Sequence, residues 1–273
     1  MEIDAFDDSI KQTTINVPFA ALQLARSLVY PNLDVAYYLT RLEALVATAR
    51  PLLSACTTTS EQVTALCSFL SDSMEFRGNR IDYKDPRNFY LNSVLDRKTG
   101  SPICLSIIFI TLAQRLGLRA YGIGLPGHFI VGIYDDGSEI RVDPFNAGLR
   151  LSMPDCERLV RENAGYNGAF QPKWLKPVSP INLLGRLLTN LCNVYIERES
   201  WQKAIPVIQH LLLLQPKSDF HLRDLGYLYM YDGSLRLSAQ YLEEYLRRTP
   251  DAPDFDNVLT SLQIVAGRLA LWN

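Results

Sequence analysis

The sequence predicts an α+β domain followed by an all-α repeat domain, on three observations. Apolar residues in the first third recur at helical spacing. The period then drops to two in three short segments between residues 119 and 142. From residue 181 onward the chain is helical again and repeats itself every 34 residues. The expected division is residues 1–170 for the α+β domain with its N-terminal helices, and 181–273 for the repeats and a capping helix.

Taken in order, residues 17–75 read as three amphipathic helices. Ala36, Leu39, Leu42, Leu45 and Val46 fall on one helical face, and Ser60 with Glu61 opens a further helix carrying Val63, Leu66, Cys67 and Leu70. A polar connector fills residues 76–98. Ser101 then reads as an N-cap with Pro102 at the first helical position, and the helix runs to Leu116, where Gly117 ends it. Segments 119–124, 129–134 and 139–142 are short and rich in Tyr, Ile and Val. Asp135-Asp136-Gly137 supplies a hairpin turn between the last two, so these read as antiparallel strands. Residues 153–163 form a short helix, and 165–180 is a linker containing Gly and Pro.

In the final third, Leu188, Tyr195, Ala204 and Pro216 recur as Leu222, Tyr229, Ser238 and Pro250, and Leu191 maps to Leu225. A 34-residue helix–turn–helix period is the tetratricopeptide signature. Each repeat proline ends a second helix, and the small residue at 204 and 238 lets paired helices approach. Gly226 fits the pattern, while Cys192 departs from it in the first repeat. Two repeats bury little by themselves, so residues 254–271 are expected to cap them.

Composition excludes several classes. The chain is 48% hydrophobic and 21% charged with net charge −2, so no basic surplus exists to neutralise nucleic-acid phosphates. The longest near-apolar run, residues 103–113, is too short for a bilayer, and the acidic start Met-Glu-Ile-Asp lacks the apolar core of a signal peptide. Five widely spaced cysteines with no Cys-x-x-Cys suit a reducing, cytoplasmic setting and neither a disulfide framework nor a zinc site. No cofactor is expected.

The candidate chemistry lies in Cys104, His128 and Asp143: thiol, imidazole and carboxylate within 40 residues, in a chain with three histidines. A thiol attacks as thiolate, which a helix N-terminus and a neighbouring imidazole favour, and a carboxylate fixes the imidazole tautomer. Cys104 falls in the first turn after Pro102. His128 leads into a strand, and Asp143 ends the next one, so counting from the turn sets them across from each other. The bland alternatives are a core cysteine, a satisfied core histidine and a turn carboxylate before Pro144. A metal reading of the same three residues lacks any close ligand pair. The other two histidines, His210 and His221, read as structural.

Four ordered motifs, Asp85-Pro86-Arg87-Asn88-Phe89-Tyr90-Leu91-Asn92, Gly100-Ser101-Pro102-Ile103-Cys104-Leu105-Ser106, Leu125-Pro126-Gly127-His128-Phe129 and Asp143-Pro144-Phe145-Asn146, resemble the SirB-type transglutaminase-like proteins. That resemblance spans roughly residues 30–250. It implies a papain-like or transglutaminase-like core, a nucleophile helix on an antiparallel sheet, followed by tetratricopeptide repeats. It assigns Cys104 as nucleophile, His128 as general base and Asp143 as its orienter. Asn88 and Asn92 would line the cleft or cap turns, the caps being favoured. Many family members carry serine or another residue at the position of Cys104, and no defined substrate comes with the family. Two functions follow. One is a non-catalytic adaptor that binds a protein or peptide through its cleft and repeats. The other is a thiol enzyme that hydrolyses or transfers the acyl group of an amide or isopeptide.

Overall fold

The computed structural model describes residues 2–271. Met1, Trp272 and Asn273, and with them the outer ends of both predicted domains, lie outside the described residues. The chain divides into two units, Met1–Leu187 and Leu188–Asn273.

The first unit opens with α1 (Glu2–Ile10), α2 (Val17–Leu28), α3 (Val35–Ser54) and α4 (Thr59–Ser68), the last running into one π-helical turn. Helix α1 was not expected from the periodicity. The start of α4 differs from the predicted Ser60: Thr58 is the N-cap, and it forms a reciprocal capping box with Glu61. The spacing Thr-x-x-Glu is the signal that separates the two candidates.

The polar connector is more ordered than its composition suggests. It holds β1 (Arg77–Gly78), a 3₁₀ turn at Pro86–Phe89, helix α5 (Leu91–Arg97) and β2 (Thr99–Gly100), with β1 and β2 paired in parallel. Phe89, Tyr90, Leu91, Val94 and Leu95 are all buried. A seven-residue helix is too short to display a helical period, and a two-residue parallel pair has no local signature.

Helix α6 (Pro102–Arg115) begins where the sequence predicts. The Ser101 hydroxyl accepts from the Cys104 amide at 3.4 Å, and Gly117 follows with φ +92°. The helix packs on a four-stranded antiparallel sheet ordered β3 (Ala120–Ile123), β4 (Ile130–Asp135), β5 (Ser138–Asp143) and β6 (Leu149–Arg150). Asp136 and Gly137, both at positive φ, form the β4–β5 turn. The opposite face of the sheet packs on α7 (Met153–Ala164), where Ile123, Leu125, Ile130, Leu151, Cys156 and Val160 form one cluster. The stretch read as a linker extends the sheet: Ile123 bridges Pro177, and the Val178 amide donates to the Gly122 carbonyl at 2.9 Å. The unit therefore continues to Leu187, into α8 (Pro180–Glu197).

The second unit contains α9 (Trp201–Leu214), α10 (Asp219–Asp232), α11 (Leu235–Arg248) and α12 (Phe255–Ala270). Pro216 and Pro250 lie two residues past the ends of α9 and α11. Between α10 and α11 the close approach is explicit. A Cβ on Gly226 would stand 2.4 Å from Leu242, and the Ser238 hydroxyl donates to the Gly226 carbonyl at 2.8 Å. Leu222, Leu242, Tyr245, Leu246 and Val258 close the core between these helices and α12. No helix among the described residues is long and apolar enough to cross a membrane.

Candidate functional site

Strand pairing brings His128 and Asp143 together. The register sets Val131 opposite Val142 and Gly132 opposite Arg141, which puts Ile130, not His128, across from Asp143. The two side chains are thus diagonal neighbours, two residues apart along the strand, and they still meet: His128 Nε2 donates to Asp143 Oδ2 at 2.7 Å, with both residues buried. With a carboxylate as acceptor, Nε2 is the nitrogen that carries the proton in this pair.

Asp143 is saturated with donors. Its Oδ1 accepts from the Phe145 and Asn146 amides at 3.0 and 3.3 Å. Its Oδ2 also accepts from Asn146 Nδ2 at 2.7 Å. The turn that follows, Pro144–Asn146, is built around this carboxylate, and the Phe145 ring stands edge-on to the imidazole at 5.9 Å.

The His128 backbone is fixed from two sides. Pro126 and Gly127 occupy the centre of a tight turn closed by His128 N donating to Leu125 O at 3.2 Å. Gly127 has φ +72°, and a Cβ there would meet the Asn163 backbone at 2.6 Å, so only glycine fits. Arg186, from α8, donates to the Leu125 and His128 carbonyls, the latter at 2.7 Å, and its guanidinium covers the Phe129 ring. Burial pulls that guanidinium below its ordinary pKa. Sequence reasoning missed Arg186, because an arginine that serves two carbonyls about sixty residues away leaves no local pattern.

Cys104 has a different setting. It is the third residue of α6 and fully buried, and burial pushes its thiol up to about 12, with the Ser101 hydroxyl pulling weakly the other way. No hydrogen bond joins Cys104 to His128 among the described residues. The Asp143 charge reaches another thiol, Cys156 of α7, which burial first and then nearby Asp155, Glu139 and Asp143 raise to about 11, against Arg141. The structure therefore joins His128 to Asp143 by a hydrogen bond and buries the Cys104 thiol in the first turn of α6.

Asn88 is a turn-former. It is fully buried; Nδ2 donates to the Asp82 and Tyr83 carbonyls, and Oδ1 accepts from Asn79 and Arg97. Its own carbonyl accepts from the Ser101 amide at 3.0 Å, which ties this motif to the start of α6. Beside it, burial alone would raise Asp85, but Arg87 and Arg97 outweigh it and hold the carboxyl below the usual range. Asn92 is buried on α5 and caps nothing; its Oδ1 has no partner among the described residues. His210 and His221 are bonded within the second unit, to Pro206 O and Gln215 Oε1, and burial lowers both. No cluster of three or more His, Cys, Asp or Glu side chains suited to a metal occurs among the described residues.

Comparison with known proteins agrees with this architecture. Residues 36–189 match the transglutaminase-like superfamily model, and residues 191–263 match a tetratricopeptide repeat model. The chain belongs to the transglutaminase-like superfamily. A UPF0162 protein of Xylella fastidiosa is 31% identical over 253 residues, covering 92% of this chain and 90% of its relative. F-box only protein 21 of Mus musculus is 29% identical over 188 residues, covering 60% of this chain and 28% of that longer protein. Among solved structures, menin covers 98% of this chain and is covered to 70%, at 13% identity and a TM-score of 0.44. The transglutaminase-like core joined to tetratricopeptide repeats is that of the SirB-type proteins. Repeats of this kind generally mediate protein–protein interaction.

Proposed function

We propose that this transglutaminase-like protein is a non-catalytic adaptor, which binds a protein or peptide through the cleft of its core and through its helical repeats. One observation carries the reading: the Cys104 thiol is fully buried, raised to about 12, and not hydrogen-bonded to His128. Burial disfavours the charged form, so the thiolate that acyl transfer needs is scarce at neutral pH. The wiring around His128 and Asp143 then serves to hold the 125–128 loop and the 143–146 turn in one shape.

The second reading is a thiol enzyme with Cys104 as nucleophile, His128 as base and Asp143 as orienter. It is favoured by the bond from His128 Nε2 to Asp143, in which the carboxylate fixes the imidazole tautomer. Intact-mass analysis after incubation with a glutamine-containing peptide and a primary amine separates the two. The adaptor reading expects no acyl adduct. A thioester-linked acyl group on Cys104, released by hydroxylamine and absent in Cys104→Ala, overturns it.

A further inference from the structure

Next to Asp143, in the first unit, lies a cavity of about 620 Å³, whose walls include β1, the 143–149 turn and α7. Its charge is uneven. Arg158 is paired with Asp155 at 2.7 Å, and Glu162 stands one helical turn further along the same wall. The Asp143 carboxylate already accepts four hydrogen bonds. The lining also carries Arg77 and Arg80, from β1 and the residues after it, both exposed and with no carboxylate partner among the described residues. Arg80 is held in place: it donates to Asn146 Oδ1, and its guanidinium lies 6.0 Å over the Phe145 ring. The same lining has apolar members, Phe145, Leu149 and Leu159, and Leu149 is 53% exposed.

We infer that this cleft takes a short acidic–apolar segment of a partner protein, its carboxylate on Arg77 and Arg80 and its apolar side chain against Phe145 and Leu149. The inference rests on the adaptor reading and supplies the chemistry of its partner. Guanidiniums present planar paired donors that match a carboxylate, and Arg80 is already oriented, so little side-chain freedom is lost on binding. The apolar walls select a peptide over a bare anion, which would leave them uncovered. The chain as a whole is at −2, so the local positive wall would give sign discrimination that the overall charge does not. A polar chain also links this wall to the imidazole: Arg80 donates to Asn146, Asn146 to Asp143, and His128 to Asp143.

The test is fluorescence anisotropy on the full chain, with a labelled peptide of alternating leucine and glutamate and a second peptide with glutamine for glutamate. The expectation is that the glutamate peptide binds and that the glutamine peptide binds at least about fivefold more weakly. The Arg77→Gln/Arg80→Gln variant should lose about tenfold in affinity, and added salt should weaken the wild-type complex. Arg77→Gln alone touches an exposed side chain with no hydrogen bond to lose, so it keeps the fold and should cost roughly two- to fivefold. In NMR the His128 ring resonance should shift on binding while those of His210 and His221 stay. Equal affinity for both peptides, full affinity in the double variant, or shifts confined to His210 and His221 would each overturn the inference. So would displacement of the peptide by inorganic phosphate at matching concentration, which makes the cleft a small-anion site. None of these outcomes bears on acylation of Cys104, so failure of the peptide site and failure of the adaptor reading are separable.

Discussion

The two halves of the candidate site are built in opposite ways. On one side, His128 and Asp143 sit in a saturated polar network: a glycine turn and an arginine hold the backbone, and four donors converge on one carboxylate. On the other, Cys104 sits sealed in helix α6 with the Ser101 hydroxyl beside it. Polar networks of this kind are costly to disturb because each removed partner leaves a buried group unsatisfied. A buried thiol costs little to remove because it packs as a small hydrophobe. The contrast teaches that an imidazole–carboxylate pair can be wired rigidly into the fold while a thiol of the same unit is held by burial.

The largest effect should follow from Asp143→Ala. It strands His128 Nε2, Asn146 Nδ2 and two backbone amides, and breaking a buried pair of this kind costs about 3–5 kcal/mol. Urea unfolding measures it; a loss below about 1 kcal/mol would show that the network does not support the fold. Gly127→Ala comes next. It forces a side chain onto a left-handed backbone and against Asn163, at a cost of roughly 2–4 kcal/mol. The His128 ring resonance should move in that variant, and an unmoved resonance would break the claim that the turn positions the imidazole. The smallest effect belongs to Cys104→Ala, which removes one buried sulfur and should cost about 1 kcal/mol. If it proved as damaging as Asp143→Ala, the two halves would be coupled and the comparison would fail.

Much of this was legible in the sequence, and what was not has a physical pattern. Ser101-Pro102 marked the start of α6 because caps are local chemistry. Pro216 and Pro250 marked the repeat because period is local too. The β4–β5 hairpin put His128 near Asp143, although the observed register offsets them by two residues, a step that leaves both side chains on one face of the sheet. Helix α5, the β1–β2 pair and the Arg186 clamp escaped because each depends on contacts far apart in the chain or on elements too short to show a period. The burial of Cys104 escaped for a related reason. Ile103-Cys104-Leu105 reads equally well as a reactive helix start or as core, and how deeply Cys104 is buried depends on the packing around α6.

The most direct test of the central claim is the order in which the five cysteines react with iodoacetamide in the folded chain, mapped by peptide mass spectrometry across pH. The thiolate is the reacting form, and a thiol raised to about 12 is almost entirely protonated at pH 6–7, gaining thiolate only as pH climbs toward 12. The account predicts that Cys56, which is only partly buried, reacts first at pH 6–7, and that Cys104 stays unlabelled until strongly alkaline pH or unfolding. Labelling of Cys104 ahead of the other four at pH 6–7, abolished in His128→Ala, would contradict it and make the protein a thiol enzyme.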